Sequence, residues 1–267
     1  LYAKGEIIMK YYVADAFAEK VFEGNPAGVC VLDTPLSEDL MQKIAIENNL
    51  SETSFAVKES DGYDLRWYTP GGEVNLCGHA TLATAFIITK FVDTGADKIL
   101  FHSMSGDLTV TKNEDLFEMD FPSIMPKEFP LTDQMIEALG VKPLETYLNR
   151  DLVFVLENEE MVQNFEPNLS KLENLPDGMG VLITAKGNKY DFVSRTFFPK
   201  IKVPEDPVCG SAHSNFIPYW AKRLGKDEMV ARQLSKRGGT LYCKNNGDRV
   251  SISGHASLYS IAEIFPE

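Results

Sequence analysis

Two stretches of this chain, "LRWYTPGGEVNLCGHATLATAFI" (65–87) and "VSRTFFPKIKVPEDPVCGSAHSNFIPYW" (193–220), follow one plan, and that repetition narrows the possible folds more than any other feature. Each runs from a strand-like segment through an arginine, aromatics and a proline into a loop. Cys-Gly follows, and then an apolar, helix-like run. Cys77 and Cys209 stand 132 residues apart, as do Lys112-Asn113 and Lys244-Asn245. An offset shared by separate features, close to half of 267 residues, argues for a duplicated unit.

The order of elements supports this. "YYVADAF", "AGVCVLD", "TSFAVKE" and "YDLRWYT" read as strands, and "LSEDLMQKIAIENN" as a helix capped by Ser37. "HATLATAFIITKF" is apolar nearly all round, so as a helix it must be enclosed by its neighbours. "GDLTVTKNEDLFEMDF" reads as a hairpin. In the second half, "YLNRDLVFVLE", "MGVLITAKG" and "YDFVSRTFFP" supply strands, "SAHSNFIPYWAKRLG" a helix stopped by Gly225, and "GGTLYCKNNGDRVSIS" a hairpin. The expected fold class is α+β: two pseudo-symmetric halves, each a sheet curled around one apolar helix. Residues 9–125 and 126–267 form the halves, connected through the proline-rich "PSIMPKEFPLTDQ", and the last strand is free to cross between them. Met9 is a plausible start, with 1–8 an extension.

Composition excludes several functions. A net charge of −13 disfavours nucleic acid and anionic membranes as partners. The basic stretch "KRLGKDEMVARQLSKRGG" reads as a solvated, charge-mixed helix and turn. Lys90 interrupts the longest apolar run, and "LYAKGEII" lacks the basic start and apolar core of a signal peptide. Four widely spaced cysteines without CxxC suit free thiols in a reducing cytoplasm. Without HExxH, a Cys/His cluster or GxGxxG, neither a metal nor an organic cofactor is expected.

The first turn of a helix exposes unpaired N–H groups and the positive end of the dipole. Gly78 and Gly210 would let a ligand approach that backbone, so two such starts could seat a carboxylate. Cys77 and Cys209 there would have lowered pKa values and serve as base or nucleophile; alternatively, they are small residues filling tight turns. Glu47 shares a helical stripe with Leu40 and Ile44. It is either a rim residue or a carboxylate whose pKa is raised by burial and the helix C-terminus, as suits a general acid/base. Asp206 lies in a turn-forming Asp-Pro. His79 and Ser211 again share the 132 offset and can cap a helix or donate to a substrate.

"DAFAEKVFEGNPAGVCVLD", "AIENNLSETSFAV", the Cys77 stretch and "EDPVCGSAHSNFIPYWA" together resemble the phenazine-biosynthesis-like (PhzF) family of the diaminopimelate epimerase-like superfamily. The resemblance implies two barrel-like halves around central helices, an active site in the cleft between them, and a cofactor-independent isomerase, usually a homodimer. By motif match the acid/base carboxylate falls on Glu47, and the substrate-positioning residues on His79, Asp206 and Ser211. In the epimerase and proline racemase branches a cysteine from each half exchanges the α-proton. Cys77 and Cys209 occupy both places, so a two-thiol racemase or epimerase is the alternative, and a non-catalytic binding protein on the same fold the third reading.

Overall fold

The computed structural model describes residues 8–266; the expected extension at 1–8 lies almost wholly outside them. Contacts divide the chain into one unit of Leu1–Asp120 with Ser253–Glu267, and a second of Phe121–Ile252. No helix among the described residues is long and apolar enough to cross a membrane.

The first unit begins with β1 (Met9–Ala16) and β2 (Asn25–Leu32), paired antiparallel. Helix α1 (Glu38–Asn48) follows. Ser37 caps it by accepting from Leu40 N, and Glu38 and Asp39 complement the dipole at its first turn. Asn49 ends it in the left-handed region, φ 49°, which asparagine tolerates well. Met41, Ile44 and Ala45 form its buried stripe. Next come β3 (Glu52–Lys58), β4 (Tyr63–Thr69) and the short β5 (Gly72–Val74). Strand β3 is parallel to β2 and antiparallel to β4.

Helix α2 (Gly78–Ile87) is buried at every residue from His79 to Ile87 and packs against β1, β2 and β3. A wider π-type turn, Ile88–Val92, extends it. This is the enclosed helix that its all-round apolar character requires. After it, β6 (Lys98–His102) lies parallel to β4, and β7 (Leu108–Asn113) joins β8 (Leu116–Pro122) as a hairpin.

The second unit opens with β9 (Lys127–Glu128), α3 (Asp133–Leu139), β10 (Glu145–Leu148) and β11 (Leu152–Val155). The sequence reading merges β10 and β11 into one strand; a turn at 149–151 separates them, and they pair antiparallel. Two further short helices, α4 (Glu159–Gln163) and α5 (Leu169–Glu173), also go unread in the sequence. Each of the three is capped by a side chain, from Thr132, Asn158 and Asn168 respectively. They cover a core of Leu152, Phe154, Ile183 and Phe197.

Strands β12 (Val181–Lys186), β13 (Phe192–Phe198) and β14 (Val203–Asp206) lead to helix α6 (Gly210–Leu224), which Gly225 stops at φ 67°. Pro218 inside α6 has no N–H to give to Ser214 O; Ile124 N donates to that carbonyl instead, at 2.9 Å. Strand β15 (Glu228–Gln233) then corrects the sequence reading of the basic stretch as a solvated helix and turn. Gly225 ends the helix, and Met229, Ala231 and Gln233 alternate inward as a strand requires. Strands β16 (Gly239–Asn245) and β17 (Arg249–Gly254) follow, and β18 (Ala256–Ile264) returns to pair with β1 of the first unit.

The pairing pattern repeats. In the first unit β2–β3 and β4–β6 are parallel; in the second β11–β12 and β13–β15 are. Arg66 of β4 clamps Glu73 of β5 at 2.6 and 2.7 Å, and Arg195 of β13 clamps Glu205 of β14 at 2.7 and 3.1 Å. Glu73 and Glu205 also share the 132 offset. Each clamp fixes the strand that delivers a Cys-Gly helix start.

Candidate active site

In the first unit, Cys77 is the N-cap residue of α2, in extended backbone. Its carbonyl accepts from Thr81 Oγ1 at 2.6 Å, and Ser54 and Thr84 both donate to Ala80 O. Cys77 Sγ lies 3.4 Å from His79 Nδ1, which Asn25 Nδ2 also approaches at 3.2 Å. Glu52, the first residue of β3, sets Oε2 3.2 Å from His79 Nε2. Both Cys77 and His79 are buried. Burial opposes charge on the imidazole, but the adjacent Cys77 and Glu52 outweigh it and raise its pKa well above the usual value. Burial and Glu52 push the Cys77 thiol upward, against the pull of His79 and the Ala80 N–H.

In the second unit, Cys209 is the N-cap residue of α6 and Ser211 stands where His79 stands in the first. Cys209 Sγ and Ser211 Oγ are 3.4 Å apart, and Arg150 Nη2 donates to Ser211 Oγ at 3.3 Å. His213 Nδ1 holds the Cys209 carbonyl at 2.8 Å, the role Thr81 has for Cys77. The fully buried Gln233 fastens the loop. Its Oε1 accepts from Cys209 N at 3.0 Å, while Nε2 donates to Asp206 O at 2.6 Å and Thr196 Oγ1 at 3.0 Å. Asp206 Oδ1 accepts from Val208 N. Burial, then the Asp206 charge, hold the Cys209 thiol well above its usual pKa.

The lowered thiol pKa values expected at helix starts are therefore reversed for both cysteines. A helix end lowers a thiol's pKa only while the thiolate stays solvated, and these two sulfurs are out of water.

The structure gathers Cys77 and His79 in one cluster and Cys209, Ser211 and the Asp206 loop in another. Glu47 sits on the exposed side of α1 in its last turn, and among the described residues no hydrogen bond or ion pair joins it to Cys77 or His79. Sequence reasoning missed Asn25, Glu52, Arg150, Asp151 and Gln233, which come from distant strands and loops. Thr81 and His213 were accessible in principle, since they share the 132 offset. Glu52, Cys77 and His79 also bring a ligand atom each within 4.8 Å of one another, a set able to hold a metal ion. Cys77 and Glu52 approach opposite nitrogens of the imidazole, Cys77 by a hydrogen bond and Glu52 as an ion-pair partner, which suits a relay through the ring better than a common metal centre.

The family model for phenazine biosynthesis-like proteins matches residues 14–261. The chain belongs to the phenazine biosynthesis-like family. An uncharacterized isomerase of Pseudomonas aeruginosa is 45% identical over 96% of this chain and 98% of its own. An uncharacterized isomerase of Halalkalibacterium halodurans is 46% identical over 92% and 94%. The crystal structure of a PhzF family protein from Enterococcus faecalis superposes with a TM-score of 0.96 at 52% identity, covering 97% of this chain and all of that one. A hydroxyproline epimerase of Agrobacterium vitis shares the fold, with a TM-score of 0.58 at 10% identity over 97% and 92% of the two chains. Membership of this PhzF family makes the protein an isomerase with the expected α+β fold of curled sheet and few helices.

Proposed function

We propose that the protein is a cofactor-independent isomerase that moves a proton within a small carboxylate substrate. The observation that carries this reading is the pair of equivalent helix starts. Each presents a thiol, a glycine and a polar side chain at matching positions, and each polar group is held by partners of its own: Asn25 and Glu52 for His79, Arg150 for Ser211. In this reading Glu47 is the acid/base, its exposed carboxylate open to a ligand, and His79, Asp206 and Ser211 position the substrate. Gly78 and Gly210 put no side chain between a ligand and the helix backbone, with Cys77 and Cys209 beside it. The protein works in the cytoplasm as a homodimer and engages neither nucleic acid nor membrane.

A second reading, inversion at an α-carbon by Cys77 and Cys209, is favoured by the presence of cysteine at both equivalent positions. Two-base inversion needs one thiolate, however, and burial raises both thiols. The glutamate reading is therefore preferred.

The test is isomerisation and solvent-deuterium incorporation, followed by NMR across a panel of small ring and amino carboxylates. Glu47→Gln preserves shape and removes the base. Turnover should fall by about 10² to 10⁴, the usual worth of a positioned acid/base. Cys77→Ser and Cys209→Ser should cost far less. The reverse ranking would transfer the chemistry to the thiols.

A further inference from the structure

The two equivalent helix starts have different charged neighbours. Beside His79 stands the Glu52 carboxylate, 3.2 Å from Nε2. Beside Ser211 stands the Arg150 guanidinium, 3.3 Å from Oγ. In the first unit the residue that approaches His79 as Arg150 approaches Ser211 is Asn25, which has no charge to offer.

Arg150 is held in place. Its Nε and Nη2 both bond Asp151 Oδ2, at 2.9 and 2.6 Å, and Asp151 Oδ1 accepts from Gly180 N at 3.0 Å. Asp151 is fully buried, while the Arg150 side chain is 49% exposed. Its Nη1 makes no hydrogen bond among the described residues. Held this way, Nη1 is left to donate a charge-assisted hydrogen bond to one oxygen of a carboxylate.

There is room at the helix start. Gly210, adjacent to Ser211, has an ordinary helical backbone and so does not need glycine for its dihedral angles. A side-chain carbon added there would meet no heavy atom within 4 Å. Packing does not demand glycine at this position either. That space is open although the residue itself is buried.

We propose that Arg150 binds the carboxylate of the substrate, with Ser211 Oγ as its companion donor, and that this group is seated in the second unit alone. A carboxylate brought to the α2 start would meet Glu52 as a like charge, at a His79 already engaged by that residue. This assignment rests on the carboxylate substrate of the proposed function.

The test titrates acetate, benzoate, anthranilate and L-proline into the purified protein by calorimetry, with benzamide as the neutral match of benzoate. Arg150→Ala alone would strand the buried Asp151, so two gentler variants are used. Arg150→Gln with Asp151→Asn removes both charges together, and Gly210→Ala fills the open space while leaving every charge in place. At least one of the carboxylates should bind wild type in preference to benzamide, and both variants should weaken that binding tenfold or more while melting as wild type does. Unchanged binding in the folded Arg150 and Gly210 variants overturns the assignment and leaves the isomerase reading standing, since that is judged separately by turnover in Glu47→Gln. Failure of all four carboxylates to bind wild type overturns the assignment and the carboxylate seat together.

Discussion

His213 offers a quantitative check on the burial that shapes the second unit. It is wholly inaccessible, donates through Nδ1 to Cys209 O, packs its ring near Phe192 and Phe216, and has no hydrogen-bond partner for Nε2 among the described residues. Burial lowers its pKa to about 4, against 6.5 for an unperturbed histidine. Between those values the unfolded chain takes up a proton that the folded chain refuses, so stability rises with pH across that window. The contribution is fully present above about pH 6.5 and is lost as pH falls toward 4. At 1.36 kcal/mol per pKa unit the loss is about 3 kcal/mol, a large part of a typical folding free energy of about 5–15 kcal/mol. The assay is urea unfolding at pH 7 and pH 4 for wild type and His213→Gln. A Trp67→Phe background leaves only Trp220, stacked on Phe192, to report on this unit. Carboxylate titrations are common to both proteins and cancel in the difference. Wild type should lose about 3 kcal/mol more than the variant, and parallel losses within about 0.5 kcal/mol would show that His213 is not the buried neutral group described.

Two further predictions concern the clamps and the metal-capable cluster. Arg195→Met should destabilise by about 3–5 kcal/mol, because it strands both Glu205 and the buried Phe165 carbonyl that Nη1 holds at 2.6 Å, and Arg66→Met by less, because the second partner of Arg66, Glu38, is exposed; equal losses by chemical denaturation would count against burial as the cause. Protein purified without added ions should carry well under one equivalent of metal by mass spectrometry and keep its stability in chelator. Stoichiometric zinc at Glu52, Cys77 and His79 would replace the relay reading.

The duplication, the enclosed helices and their Cys-Gly starts were legible because they are local: a period, a cap, a stop at Gly225. The glutamates of the two clamps were legible in the same way but went unread. What escaped is non-local. Glu52 reaches His79 from a neighbouring strand, Gln233 reaches back to Cys209, and Arg150 comes from the turn between β10 and β11, which the sequence reading merges into one strand. The sign of the thiol shifts escaped too, because a helix end can be read from sequence whereas exclusion of water from a sulfur cannot. Glu47 shows the converse: its position on α1 follows from helical spacing, yet its exposure does not.

Strand β18 has a consequence for how the molecule is made. It pairs with β1 along nearly its whole length, from Met9 opposite Ile264 to Ala16 opposite Ala256. Everything in Phe121–Ile252 is synthesised between these two partners. The second unit is one uninterrupted segment and can close as soon as it clears the ribosome. The first, although translated earlier, must hold β1 with one edge unmatched until β18 arrives. The usual N-terminal-first order is thus inverted, and an open β edge persists throughout synthesis of the second unit. A chain stopped after Ile252 should therefore yield a protease-resistant second unit behind a first one that is sticky and readily digested.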